Sequence, residues 1–238
     1  MGVAEEFEDR DLSDSVFWGV NLERAYVRDA NLAGARFFHT FWTNVSVDGV
    51  IDRLVVNGVD VTDFVNEHDR WFPLRTQLEP TTDEQLRATW ATIQGEWVAL
   101  VDRLKTMPPD APLKSVNGEW SLRDTFRHLI FAMDKWFRWP ILGERTFSPM
   151  GLPNTGSRDF GWPGVDLNAN PSFDEVLDQS AVYADAFTRY INEHSIADLP
   201  ESVEVLENGT APALMCFHVV LEEEFEHLRY ALRDLDLL

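Results

Sequence analysis

Two residues of types that bind metal ions lie four positions apart near the end of the chain, Glu223 and His227. Residues four apart are neighbours on one face of an α-helix, so a carboxylate and an imidazole at this spacing can bind one divalent cation. The same spacing is also typical of a solvated surface pair that contributes little to stability. Glu224, three residues before His227, stays open as an alternative because it lies closer to the apolar side of the helix. We expect the third ligand from His128.

The last segment of the chain, residues 213–238, must position this pair. Its apolar residues recur at steps of three and four, the period of an amphipathic α-helix. They are Leu214, Leu221, Phe225, Leu228, Leu232 and Leu235. The sequence therefore predicts a long final helix with one face in a core.

His128 lies inside a second predicted helix. Ser121 is a suitable N-cap, and Pro140 with Gly143 is expected to end the helix. Its apolar positions are Leu122, Phe126, Leu129, Ile130, Met133, Trp136 and Phe137. A pocket around the metal site is expected to use Trp120, Trp136 or Tyr230, although each also suits a packed core.

Two further long helices are predicted. The first begins near Thr81–Glu84 with an acidic first turn and runs to about Met107, where Pro108 and Pro109 stop it. The second begins at the capping box Ser172 to Glu175 and ends near His194. Residues 81–238 thus hold four amphipathic helices, and bundles of that kind build metal sites between facing helices. The long connection 144–171, rich in Gly, Pro and Asn, is expected to cover a pocket.

The N-terminal part of the chain has a period of five residues instead of 3.6 or 2. The second residue of each quintet is apolar, and the residue two before it is small or modest in size in most quintets. The apolar set is Leu12, Phe17, Leu22, Val27, Leu32, Phe37, Trp42 and Val47. After Val50 the period fails, and residues 51–61 predict a hairpin with Asn57 and Gly58 at its turn.

This pattern resembles the pentapeptide-repeat family over about Arg10 to Val50. The resemblance implies a short right-handed quadrilateral β-helix of two coils, with the apolar residue and the small residue pointing inward. We expect residues 1–70 to form this β-helix with its capping hairpin, residues 71–80 to form a linker, and residues 81–238 to form the helical domain. The expected fold is therefore multidomain, with α and β parts.

Composition limits the function. The net charge is −21, with 41 acidic and 20 basic residues, and such a surface disfavours direct binding to nucleic acid or anionic lipid. Cys216 is the single cysteine, so no intrachain disulfide is expected. The acidic N-terminus does not predict a signal peptide, and no apolar run is long enough to span a membrane. We expect a cytoplasmic protein.

The helical part resembles the DinB-like family of up-down four-helix bundles over about Glu79 to Leu238. Two segments carry the resemblance, Glu119–Asp124 followed by His128–Leu129, and Glu222–His227. The resemblance implies that His128, Glu223 and His227 hold a divalent ion at the bottom of a pocket. The Glu-His form is similar to the thiol-dependent branch, which includes mycothiol-dependent maleylpyruvate isomerase and related S-transferases.

The expected function is therefore a divalent-metal-dependent thiol S-transferase or isomerase that acts on a small electrophile. Imidazole and carboxylate ligands suit zinc, nickel or iron, so the ion stays open, and a low-molecular-weight thiol would be the co-substrate. One alternative is a non-catalytic metal-binding bundle, in which protein groups fill every ligand position. Another is a protein-interaction module that uses the acidic repeat segment. A homodimer is compatible with the family but is demanded by no feature of the sequence.

Overall fold

The computed structural model describes residues 6–7, 10–27, 30–154, 157 and 160–238. Parts of the acidic N-terminus, of the repeat segment and of the long connection lie outside these residues. The chain divides into two compact units, Met1–Asp48 and Gly49–Leu238.

The first unit contains regularly spaced turns. In three of them a backbone N–H donates to the carbonyl three residues earlier, at 2.9 to 3.1 Å: Ser15 to Leu12, Ala25 to Leu22 and Ala35 to Leu32. The third residue of each turn has a positive φ, at Asp14, Arg24 and Gly34. These turns recur every ten residues, which is twice the sequence period. The five-residue pattern thus has a local structural counterpart in the backbone.

The apolar second residues of the quintets are exposed, whereas we expected them to point inward. Their exposed fractions run from 40% at Leu12 to 65% at Val27. No strand is found among the described residues of this unit, so a quadrilateral β-helix is not shown. Repeat folds bury apolar side chains between neighbouring repeats, and a segment of about forty residues offers few neighbours.

The second unit begins with the predicted hairpin. Strands β1 (Val55–Val56) and β2 (Val59–Asp60) pair antiparallel. Asn57 and Gly58 both have positive φ, at 51° and 83°, as a two-residue hairpin turn requires. The sequence prediction of this hairpin is confirmed.

Helices α1 (Thr62–His68) and α2 (Phe72–Arg75) follow. The second of them lies in the segment 71–80 that we expected to be a linker. Leu74 is only 7% exposed and belongs to the main core, and Trp71 packs against the same core. The segment contacts the core through the buried Leu74 and the half-buried Trp71, and a local sequence pattern does not reveal this contact.

Four long helices make up most of the second unit: α3 (Asp83–Leu104), α4 (Leu122–Met133), α5 (Phe173–Glu193) and α6 (Ala213–Leu235). Capping boxes start α3 and α5, and the Ser121 hydroxyl accepts from the backbone N–H of Asp124 to cap α4. The predicted helix starts are confirmed because the caps form between residues only three apart.

The long helices make their main contacts in a closed cycle, α3 with α5, α5 with α4, α4 with α6, and α6 with α3. Helices α3 and α4, consecutive in the chain, are not a main contacting pair, and neither are α5 and α6. In a simple up-and-down bundle with short loops, consecutive helices are neighbours. Helices that are neighbours in space are therefore not always neighbours in the chain. A second hairpin, β3 (Ser202–Glu204) with β4 (Thr210–Pro212), connects α5 to α6.

The core lies between the four long helices and is rich in aromatic side chains. Its fully buried members include Phe137, Phe187, Phe217 and Phe225. Phe137 belongs to a π-helical turn, Asp134–Arg138, which directly continues α4. Turns of this kind occur often at functional sites. Among the described residues, no helix is both long and apolar enough to cross a membrane.

Candidate metal site

Helices α4 and α6 bring three potential ligands together. Oε2 of Glu223 lies 3.3 Å from Nε2 of His128 and 3.4 Å from Nδ1 of His227. One ligand atom from each residue lies within 4.8 Å of the other two. The residues that the sequence singled out as ligands are thus neighbours in space, because α4 and α6 pack directly against each other.

Both imidazoles are oriented by main-chain carbonyls. Nδ1 of His128 lies 3.0 Å from the carbonyl oxygen of Leu152, and Nδ1 of His227 lies 2.9 Å from that of Glu223. A carbonyl only accepts, so each Nδ1 donates to it and Nε2 is left to bind an ion. Without an ion, Nε2 of His128 lies 3.3 Å from the Glu223 carboxylate, which also only accepts, so this nitrogen can carry a proton as well. Histidines that bind metal ions usually have a second hydrogen bond of this type.

The carboxylate of Glu223 is prepared for a cation. Burial is the largest single effect on its pKa and raises it. The hydrogen bond with His128 and the charges of His128, His227 and Lys135 together outweigh burial and hold the pKa of Glu223 below its usual value. The side chain therefore stays ionised, and its charge would offset part of the charge of a divalent ion.

Glu224, the alternative ligand, faces a different part of the protein. It is only 6% exposed and lies 3.5 Å from the side-chain amide of Gln94 on α3. Burial raises the pKa of Glu224 to about 8, against the hydrogen bond with Gln94. Its position near the apolar side of α6 was correctly read from the sequence. That same position places it in the core beside α3, whereas Glu223 faces α4.

Aromatic rings cover the three potential ligands. The Trp120 ring lies 4.7 Å from the ring of His128 and 6.1 Å from that of His227, centre to centre. Phe131 lies 6.1 Å from His128, and Tyr230 lies 6.1 Å from His227. Trp120 and Tyr230 were expected near the site and are found there. Such rings limit the access of water to a bound ion.

Trp136, the third aromatic residue expected near the site, contacts Lys135 instead. The Lys135 ammonium lies 5.1 Å from the Trp136 ring and 2.6 Å from Oε1 of Glu207. Sequence reasoning missed Lys135, whose charge helps to lower the pKa of Glu223. Lys135 lies seven residues after His128, a spacing that places two helical residues on the same side. Sequence reasoning also missed the Leu152 carbonyl, because every residue has a main-chain carbonyl and its position leaves no signal in the sequence.

Other residues that could have been functional are not brought into the site. His68 bonds to the carbonyl of Phe64, and His194 bonds to that of Tyr190. Cys216 is fully buried, and burial raises the pKa of its thiol to about 11. A buried thiol that keeps its proton is a poor nucleophile. These findings agree with the structural roles expected for His194 and Cys216.

The donor set fits a divalent transition-metal ion. Two neutral imidazoles and one carboxylate are the ligands of many catalytic zinc sites, in which further positions stay open. Ligand atoms of a tetrahedral zinc ion lie about 3.4 Å apart, given metal–ligand distances of about 2.1 Å. Oε2 of Glu223 and Nε2 of His128 already lie at about this separation. His227 faces Glu223 with Nδ1, so its side chain would have to move to bring Nε2 to the ion.

Comparisons with known proteins agree with this geometry. A sequence model of the DinB superfamily matches residues 74–231, about two thirds of the chain. The matched region contains His128, Glu223 and His227. A search of curated proteins and a search of solved structures found no match.

Proposed function

This chain belongs to the DinB superfamily, whose members in general bind a divalent metal ion, and we propose that it is a metal-dependent enzyme with His128, Glu223 and His227 as ligands. The observation that carries the proposal is the meeting of these three side chains between α4 and α6. Zinc, nickel and iron all suit the donor set.

We further propose that the enzyme is a thiol-dependent S-transferase or isomerase acting on a small electrophile. When bound, the ion would supply a Lewis acid that lowers the pKa of a coordinated thiol. The chain itself contributes orientation and shielding. The carbonyls of Leu152 and Glu223 hold the two imidazoles, while Trp120 and Phe131 exclude water from one side.

The proposed chemistry predicts consumption of thiol by the metal-loaded protein. With mycothiol as thiol and 1-chloro-2,4-dinitrobenzene as electrophile, we expect an increase in thioether formation of at least about tenfold over the uncatalysed reaction. Absorbance of the product measures the rate. Glutathione and cysteine serve as comparison thiols.

Protein treated with a chelator is the control and is expected to show the uncatalysed rate. If protein loaded with zinc, nickel and iron in turn gives only that rate for this electrophile and for maleylpyruvate, the thiol chemistry is wrong. That result would leave the proposed metal site unaffected.

The domain boundaries 1–70, 71–80 and 81–238 remain predictions, and we propose them together with two finer assignments. The cycle of contacts among α3 to α6 supports a four-helix bundle. The turns at regular spacing in the first unit support a pentapeptide-repeat segment. The bundle is supported by which helices contact each other, and the repeat segment is supported by the backbone geometry of its turns.

A second candidate function is a protein-interaction module in the repeat segment. Large aromatic side chains are strongly exposed there: Trp18 at 90%, Phe38 at 77% and Phe41 at 100%. Exposed aromatic residues are common at the centres of protein interfaces. Replacing all three with serine is expected to abolish partner capture by the tagged protein and to leave its metal content unchanged. Retention of every captured partner would contradict this role.

A further inference from the structure

A short piece of the long connection runs along α4 beside the metal site. We call residues 148–152 the strap. Ser148 and Leu152 are only 6% and 8% exposed. At Gly151 an added Cβ would lie 3.3 Å from the carbonyl oxygen of Ser148 and 3.4 Å from Cβ of Phe131, so the strap lies in van der Waals contact with the helix. The strap is therefore part of the packed interior.

Two side chains of the helical segment anchor the strap. Oδ2 of Asp134 accepts from the backbone N–H of Ser148 at 2.7 Å. Nε of Arg127 donates to the carbonyl of Met150 at 3.0 Å. Inside the strap, the N–H of Met150 donates to the Ser148 hydroxyl at 3.2 Å. Ser148 is thus tied to the turn after α4, and Met150 is tied to α4 itself.

The strap ends on the ligand histidine. Leu152 donates its N–H to the carbonyl of Arg127 at 3.0 Å and accepts from Nδ1 of His128 at 3.0 Å. Nε2 of the same ring lies 3.3 Å from the Glu223 carboxylate. When an ion replaces a proton on Nε2, the Leu152 carbonyl keeps the other proton on Nδ1 and holds the ring in place.

Asp134 is the most deeply buried of the anchors. It is 1% exposed, and its carboxylate also contacts Nη1 of Arg138 at 2.5 Å and the hydroxyl of Tyr183 at 3.5 Å. Burial raises the pKa of Asp134 to about 6, against these bonds. A buried carboxylate costs free energy unless its bonds are made, and here the N–H of Ser148, Arg138 and Tyr183 supply them.

We propose that Asp134 is a positioning residue for the metal site: it holds the strap, and the strap holds Nε2 of His128 toward the ion. The effect passes through Ser148 and the Leu152 carbonyl, and Asp134 itself touches neither ligand nor ion. This inference rests on the proposed metal site. A purely structural Asp134 would affect stability but leave the tautomer of His128 unchanged.

The first test is the tautomer of His128 in metal-free wild-type protein. Long-range ¹H–¹⁵N NMR distinguishes a protonated Nδ1 from a protonated Nε2, and the His128→Gln variant assigns the signal. We expect Nδ1 of His128 to be protonated, even where Nε2 also carries a proton for the Glu223 carboxylate. An Nδ1 without a proton would overturn the proposal without any reference to metal binding.

The second test uses two variants of the strap and its anchor. Asp134→Asn keeps only one carbonyl oxygen, so Ser148 and Arg138 cannot both be satisfied. Gly151→Ala places a Cβ 3.3 Å from the Ser148 carbonyl oxygen, so the strap must shift slightly without a change in any polar group. Asp134→Asn is expected to weaken zinc binding about 10- to 100-fold, as loss of an outer-shell partner usually does, and to shift His128 toward the Nε2 tautomer. Gly151→Ala is expected to change both in the same direction by a smaller amount. Zinc affinity is measured by competition with a coloured chelator.

Gly95→Ala is the matched control, since Gly95 lies in α3 with no atom within 4 Å of an added Cβ. It is expected to keep the wild-type affinity and tautomer. If Asp134→Asn and Gly151→Ala also keep both, the positioning role is wrong, and Gly151→Ala decides if Asp134→Asn does not fold. Failure of the wild type itself to bind zinc, nickel or iron would overturn the metal site, a result distinct from a loss confined to the variants.

Discussion

His227→Ala is expected to reduce bound metal from about one equivalent per chain to none. The substitution leaves Glu223 and His128 as the only two members of the cluster. Two protein ligands hold a transition-metal ion far more weakly than three, because each ligand lost also returns a coordination position to water. His128→Ala should have the same effect. Plasma mass spectrometry on protein passed over a desalting column measures the metal content.

His194→Ala is the matched control for this experiment. His194 caps the end of α5 and bonds to the carbonyl of Tyr190, so its loss is expected to leave the metal content unchanged. Metal content equal to wild type in His227→Ala would refute the assigned ligands. Loss of metal in the His194 variant as well would point to a global change in the fold and would be visible by circular dichroism.

Glu224→Gln is expected to change how stability depends on pH. In the folded chain the pKa of Glu224 is raised to about 8 from a usual value of 4.5, because the carboxyl is buried. Below pH 4.5 the Glu224 carboxyl is protonated in both the folded and the unfolded state, so it does not lower the free energy of unfolding. As pH rises from 4.5 to about 8, the unfolded state loses its proton first, so wild-type stability falls.

The Glu224→Gln variant has no carboxyl group to titrate at this position, so its stability should not fall between pH 4.5 and 8. Each unit of pKa difference corresponds to about 1.4 kcal/mol, so by pH 9 the variant is expected to gain a few kcal/mol relative to wild type. Urea unfolding of metal-free protein at pH 5 and pH 9 measures the difference. The exposed Glu201 provides the control Glu201→Gln, which should follow wild type. Parallel pH profiles for Glu224→Gln and wild type would contradict the burial of an uncharged Glu224.

The helical part of the fold was largely predictable because its signals are local. The capping boxes Thr82 with Gln85 and Ser172 with Glu175 form between residues three apart, and the apolar periods of α4 and α6 need no information from elsewhere. The hairpin at Asn57 and Gly58 was predictable for the same reason, since its turn depends on two residues that accept positive φ.

The repeat segment shows a property that local sequence patterns do not predict, the burial of its side chains. Its hydrogen-bonded turns recur every ten residues, twice the sequence period, yet the apolar residues of the quintets are not buried. A side chain is buried only when another part of the chain packs over it, and a sequence period does not show whether such a part exists. In the segment 71–80 the local sequence shows no signal of packing, yet Leu74 is buried in the main core by side chains far away in the sequence.

By itself, the sequence determined four helices and their starts, the first hairpin, and a short set of ligand candidates with a family resemblance to support them. Only the tertiary structure decided that Glu223 faces His128 while Glu224 faces Gln94, and that the Leu152 carbonyl orients the imidazole. The physical reason is distance along the chain. Caps and turns depend on neighbours within a few residues, whereas a ligand set depends on which faces of remote helices meet.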